Sequence, residues 1–231
     1  MTDAEAPSAE RTASGPTRPA WWVYALIAVG IGALAFAIGR FSTFGSVPTA
    51  AGPNAADIGF ARDMQVHHTQ AIEMAMEIYR KTEDDDVQRM AYDIATSQAG
   101  QRGEMFDWLV QWGLPQSSTD PLMAWMTDAS GHGGGHGATS ESMTDEELRA
   151  AMGMASADEI AQLQAATGTE ADCLYLALMI RHHEGAIPMA EAVIELGSVP
   201  RVLAVAEGIK AGQTAEIDAM RSVQARLGCT G

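Results

Sequence analysis

The chain holds 231 residues, room for one domain of ordinary size with appendages. Asp and Glu outnumber Lys and Arg by 30 to 14, a formal net charge of −16, so nucleic acid phosphates and anionic headgroups are repelled. Two cysteines and no Cys-x-x-Cys exclude a disulfide-built scaffold and a thiolate zinc site.

In chain order, the first feature is an apolar run. Trp21 to Gly39 carries no charge and no proline, and at 1.5 Å per residue it would span roughly 29 Å, about a hydrocarbon core. Trp21, Trp22 and Tyr24 gather at one end, as interfacial aromatics do. Arg11 and Arg18 precede the run and Arg40 follows it. The expectation is a single-pass cell-membrane protein: a cytoplasmic tail (1–19), a transmembrane anchor (20–40, contacting lipid through 21–39) and a main domain outside the cytoplasm. A cleaved signal peptide is the rival reading and also puts the domain outside. Residues 41–57, rich in Ser, Pro, Gly and Ala, read as a linker to a domain over 58–231.

That domain contains an internal repeat. Residue n and residue n+115 match without a gap: Met64/Met179, His67/His182, His68/His183, Ala71/Ala186, Ile72/Ile187, Met74/Met189 and Ala75/Ala190, then Val87/Val202, Ala91/Ala206, Ile94/Ile209, Gln98/Gln213, Met105/Met220 and Gly113/Gly228. Each copy reads as a helical hairpin, 58–113 and 170–228. The first has helices near 59–80 and 87–112, parted by a charged turn at 81–86. The second has helices near 170–195 and 200–227, with Pro200 at a helix start and Gly228 as a stop. Two hairpins with apolar faces bury them against each other, so the expected fold is all-α, a four-helix bundle with a pseudo-twofold axis. The connection 114–169 carries two capping boxes, Thr144-x-x-Glu147 and Ser156-x-x-Glu159, and a Gly131–Gly137 tract containing His132 and His136. That tract can chelate transition metals or serve as a linker. Cys173 starts the third long helix and Cys229 follows the fourth. These ends are neighbours in an antiparallel hairpin, which makes the pair a disulfide candidate outside the cytoplasm.

The chemistry sits in the first and third helices. With Met64 at 0° on a wheel of about 100° per residue, His67 falls near 300° and His68 near 40°, among Ala71, Met74, Ala75 and Ile78. Glu73 and Glu77 fall on the far side. The third helix repeats this with Met179, His182 and His183. The partner helices place Gln98, Gln101 and Met105, and then Gln213, Glu216 and Met220, on one stripe each. A di-iron bundle would carry Glu-x-x-His; here methionine precedes the histidines in both copies. Thioether with imidazole suits copper, Cu(I) above all. Met64, His67, His68, Met179, His182 and His183 are the candidate metal ligands. Gln98, Met105, Gln213, Glu216 and Met220 are the candidate residues behind them, and His132 and His136 a looser auxiliary set.

The segment Phe60-Ala-Arg-Asp-Met64-x-x-His67-His68-x-x-Ala71-Ile72-x-Met74-Ala75, repeated as Met179-Ile-Arg-His182-His183-Glu-Gly-Ala186-Ile187-x-Met189-Ala190, resembles the signature of the DUF305 family. So do Met152-Gly153-Met154, Gly168, Asp172 and Gln213-x-x-Glu216-Ile217-x-x-Met220. The resemblance implies a ferritin-like, extracytoplasmic helical bundle associated with copper binding and tolerance. The chain departs from the family pattern at Gln101, where glutamate would match Glu216. The expected function is therefore copper sequestration, tolerance or transfer, without enzymatic turnover, since no nucleophile is paired with a base. The alternative is a metal-free helical interaction module or accessory subunit of a membrane complex, and a redox metalloenzyme is a third reading. A protein partner or self-association is compatible with each.

Overall fold

The computed structural model describes residues 21–44, 52–126 and 143–229. The expected cytoplasmic tail, residues 45–51 of the linker and the glycine tract with His132 and His136 lie outside the described residues. Among the described residues the secondary structure is helical throughout: α1 (Trp21–Phe44), α2 (Ala55–Tyr79), α3 (Asp85–Gln111), α4 (Asp145–Ala151), α5 (Ala157–Ala165), α6 (Gly168–Leu196) and α7 (Pro200–Leu227).

Residues 1–50 and 51–231 form separate compact units. In the first, α1 runs through the apolar segment. The expected transmembrane anchor and cell-membrane location require correction, because among the described residues no helix is long and apolar enough to cross a membrane. The helix does not stop at Gly39 but continues through Arg40, Ser42 and Thr43, which places polar residues within it.

In the second unit each helix begins and ends for a local reason. Asn54 and Asp57 form a capping box that starts α2 within the expected linker, and Asn54 Nδ2 also donates to Leu196 O at 2.7 Å. The buried Asp57 carboxylate accepts from Ser198 N, Ser198 Oγ and Val199 N, fixing the turn between α6 and α7. Asp84 caps α3 through Asp86 N and Val87 N. Capping boxes at Thr144/Glu147 and Ser156/Glu159 start α4 and α5. Pro200 opens α7, and Gly228, at φ +69°, closes it in the left-handed conformation. A disulfide joins Cys173 to Cys229, with Cα atoms 5.5 Å apart, tying the start of α6 to the end of α7.

The packing is pairwise: α2 lies on α3, α6 on α7, and α2 on α6. Two apolar clusters result. One gathers Phe60, Met64, Met105, Leu109, Ala186, Met189, Val202 and Ile209. The other gathers Met74, Ile78, Ile94, Tyr175, Met179, Ile217 and Met220. Along all four long helices the change from one cluster to the other falls at a polar position: His67 and His68 on α2, Gln98 on α3, His182 and His183 on α6, Gln213 on α7. Every one of these is buried. A polar layer thus crosses the middle of an otherwise apolar core, with a methionine-rich cluster on either side.

Candidate metal centre

The four histidines share no water-facing surface; each is 0% exposed. Their rings follow one another as His68, His67, His182 and His183, with neighbouring centroids 6.2, 3.6 and 6.3 Å apart. The short central step comes from the direct packing of α2 on α6, where Ala71 and Ala186 leave the helices free to approach.

Each ring uses its Nε2 in one hydrogen bond. His67 Nε2–H donates to the Met152 carbonyl at 3.0 Å and His182 Nε2–H to the His67 carbonyl at 3.1 Å. His68 Nε2–H donates to Gln101 Oε1 and His183 Nε2–H to Glu216 Oε2, both at 2.7 Å. All four partners are acceptors, which puts the proton of a neutral ring on Nε2 and leaves a lone pair on Nδ1. The Nδ1 atoms of His67, His68, His182 and His183 are all buried, and no protein group hydrogen-bonds any of them. The amides of Gln98 and Gln213 are likewise buried without partners.

Burial sets the protonation. Desolvation, reinforced by the neighbouring His68, lowers His67 to about 3. Desolvation lowers His68 to about 4 against the opposing hydrogen bond to Gln101. His182 is held well below the ordinary imidazole range by desolvation and then by His67. These three rings are neutral at physiological pH, the form in which imidazole binds metal.

The halves are not mirror copies. The pseudo-twofold counterpart of the His182–His67 carbonyl bond, from His67 to the His182 carbonyl, is the weaker of two contacts, and the main acceptor for His67 is the Met152 carbonyl. The segment after α4 makes this contact. Gly153 sits at φ +74°, and a Cβ added at Gly185 would overlap the Met152 carbonyl, so only glycine at 185 lets the strap lie on α6. Gln70 holds the strap by accepting from Ala155 N at 2.7 Å and donating to Ala155 O at 2.8 Å. Met152 and Met154 are buried in the cluster that holds Met64 and Met105. The second difference lies at Gln101/Glu216 and a third at Phe60/Tyr175, both pairs 115 positions apart. The Tyr175 hydroxyl is buried and unpartnered, and burial together with the Glu216 charge pushes its ionisation far above the ordinary phenol value.

Among the described residues no three His, Cys, Asp or Glu side chains converge as a ready-made cation cage. The thioethers in place are Met64 and Met179, each one helical turn before a histidine doublet, and Met105 and Met220, one turn after Gln101 and Glu216; all four are 0% exposed. Unpartnered imidazole Nδ1 atoms with thioethers nearby fit a soft cation and do not fit calcium or magnesium. The Nε2 bonds to a carboxylate, an amide and two carbonyls are those that orient metal-binding imidazoles.

Among solved structures, a DUF305 protein from Streptomyces coelicolor matches with TM-score 0.65 and 38% identity over 76% of this chain and 95% of its own. A DUF305 fragment from Deinococcus radiodurans matches with TM-score 0.60 and 29% identity, covering 75% of this chain and 97% of its own. CopM in its Cu(I)-bound form shares the fold at TM-score 0.54 and 22% identity, covering 74% of this chain and 96% of its own. No curated protein matches the chain. The family model for the domain of unknown function DUF305 covers residues 57–224. On that match the chain belongs to the DUF305 family.

Proposed function

We propose that this protein binds copper as cargo, Cu(I) in preference, inside a ferritin-like four-helix bundle formed by α2, α3, α6 and α7, and that it sequesters the ion or hands it on. One observation carries the reading: four buried imidazoles spend Nε2 on acceptors and leave Nδ1 without a partner. An unsatisfied buried polar atom costs about 1–3 kcal/mol. Four of them cost on the order of 4–12 kcal/mol, comparable to the whole stability of a domain. Copper taken up by these lone pairs would remove that cost. The fold-mate CopM is known in Cu(I)-bound, Cu(II)-bound and silver-bound forms, which agrees with a soft-metal cargo in this architecture. The Cys173–Cys229 disulfide favours an oxidising compartment, where copper is not buffered by cytosolic thiols. The residues that would hold copper are His67, His68, His182 and His183, with Met64 and Met179. Glu216 and Gln101 would aim the outer two rings, with Met105 and Met220 beside them.

A metal-free helical interaction module is favoured by the lack, among the described residues, of a three-residue His, Cys, Asp or Glu cage. It leaves the four Nδ1 atoms unexplained. A competition titration of the full chain with Cu(I), beside a variant with all four helical histidines changed to glutamine, separates the two. The account expects tight binding and a large thermal shift in the wild type alone. Equal copper retention by both proteins would assign binding to other residues and favour the interaction module.

A further inference from the structure

The polar layer has two chemically different ends. At one end His68 donates to a neutral amide, Gln101. At the other end His183 donates to a carboxylate, Glu216, at the same distance. The two acceptors occupy equivalent positions, 115 residues apart, on α3 and α7. The same offset relates Phe60 on α2 to Tyr175 on α6, one turn before Met64 and Met179 respectively. The second end thus carries a negative charge and a buried hydroxyl without a partner, where the first carries an amide and a phenyl ring.

We infer that the two ends differ in the oxidation state they accept: the His68–Gln101 end is selective for Cu(I), whereas the His183–Glu216 end, with Tyr175 beside it, also holds Cu(II). This rests on the copper reading above and adds to it an assignment of preference to each half. The physical reason is charge in a dry interior. A Cu(II) ion on the neutral end brings two uncompensated charges into the core, and the cost of burying charge rises steeply with its magnitude. At the other end Glu216 cancels one of them through the imidazole. Cu(II) also prefers nitrogen and oxygen donors where Cu(I) is content with thioether and imidazole, and the unpartnered Tyr175 hydroxyl, close enough to Glu216 to feel its charge, makes this end the more oxygen-rich of the two.

A carboxylate one imidazole ring from the ion, roughly 6–7 Å away, interacts through an effective dielectric of about 20 by an amount equal to about 10- to 100-fold in affinity per unit of metal charge. Cu(II) carries one charge more than Cu(I), so replacing Glu216 by glutamine lowers the ratio of Cu(II) to Cu(I) affinity by about 10- to 100-fold. That is a rise of about 60–120 mV in the site's reduction potential.

The test uses the full chain with Cu(I) and Cu(II) titrated separately, Cu(II) followed by the paramagnetic resonance signal and Cu(I) by competition with a chromogenic chelator. The inference expects a single tight Cu(II) site in the wild type. It expects that site to be lost or weakened in Glu216→Gln with Cu(I) retained, and a second Cu(II) site in Gln101→Glu. Tyr175→Phe should change the Cu(II) signal and leave Cu(I) binding unaltered. Gln101→Glu adds the residue that the matching position already accommodates, so it decides the matter even if Glu216→Gln folds poorly. Two equal Cu(II) sites in the wild type, or an unchanged Cu(II) to Cu(I) ratio in Gln101→Glu, would overturn the asymmetry and leave copper binding standing. Failure to bind copper in either state would sink the copper reading itself.

Discussion

Lowering the pH should unfold the metal-free protein well above the range where carboxylates protonate. The perturbation acts on His67, His68 and His182, whose folded values lie near 3, near 4 and well below 6.5 respectively, because burial penalises the imidazolium. In the unfolded chain all three return to about 6.5. The folded state therefore binds fewer protons than the unfolded one across that window. Stability is full above pH 6.5 and lost as pH falls toward the folded values. Below the unfolded value each ring approaches about 1.4 kcal/mol per pH unit, so the three together approach about 4 kcal/mol per unit and remove about 5 kcal/mol between pH 6.5 and 5. That approaches the whole stability of a typical domain, about 5–15 kcal/mol. Denaturant unfolding of the metal-free chain at half-unit steps from pH 7.5 to 4.5 measures it, the slope giving the protons taken up. About three protons are expected between pH 6 and 5, falling to about two in His182→Gln. Glu159 and Asp84, whose carboxyls ion pairs with Arg181 and Arg226 hold near 2, contribute only at lower pH and do not confuse the window. A flat profile from pH 7 to 5 would refute the reasoning, because it would mean the rings are solvated or already charged in the folded protein.

Further outcomes follow from single contacts. Gly185→Ala should push the Met152 carbonyl off α6 and cost His67 its acceptor, destabilising the fold by roughly 2–4 kcal/mol, read as a lower Tm. Changing Cys173 and Cys229 together to serine opens a loop with a sequence separation of 56, which the chain-entropy relation values at about 4 kcal/mol, measurable by denaturant titration under oxidising conditions.

Much of the helical plan was legible because its signals are local. Pro200 and Gly228 mark the ends of α7 by backbone chemistry alone. The start of α2 was less visible. Asn54 and Asp57 form a capping box inside a stretch whose Gly, Pro and Ala content reads as linker, and Asp57 spends its second oxygen on a turn 141 residues away. Burial of the histidine doublets followed from the 3.6-residue period. Their hydrogen-bond partners did not. Gln98 and Gln101 lie about 60° apart on a wheel, so periodicity cannot choose between them. The lean of α2 on α3 does, and it gives His68 to Gln101. The partner of His67 is a main-chain carbonyl 85 residues away, and no side-chain pattern announces a carbonyl. The nearest sequence signal was Gly185, two residues after His183. The apolar run at 21–39 predicts a membrane span, but its helix runs on into Arg40, and among the described residues no helix is long and apolar enough to cross a membrane.

The central claim is that copper takes Nδ1 and leaves Nε2–H on its acceptor. Nitrogen-detected magnetic resonance of the histidine side chains during titration with Cu(I), or with silver as its redox-inert substitute, reads both ring nitrogens separately. The account predicts large shifts at the Nδ1 atoms of His67, His68, His182 and His183, with their Nε2–H protons retained throughout. Loss of those Nε2–H protons on metal addition, or four unmoved rings in a protein that has taken up the metal, would contradict it.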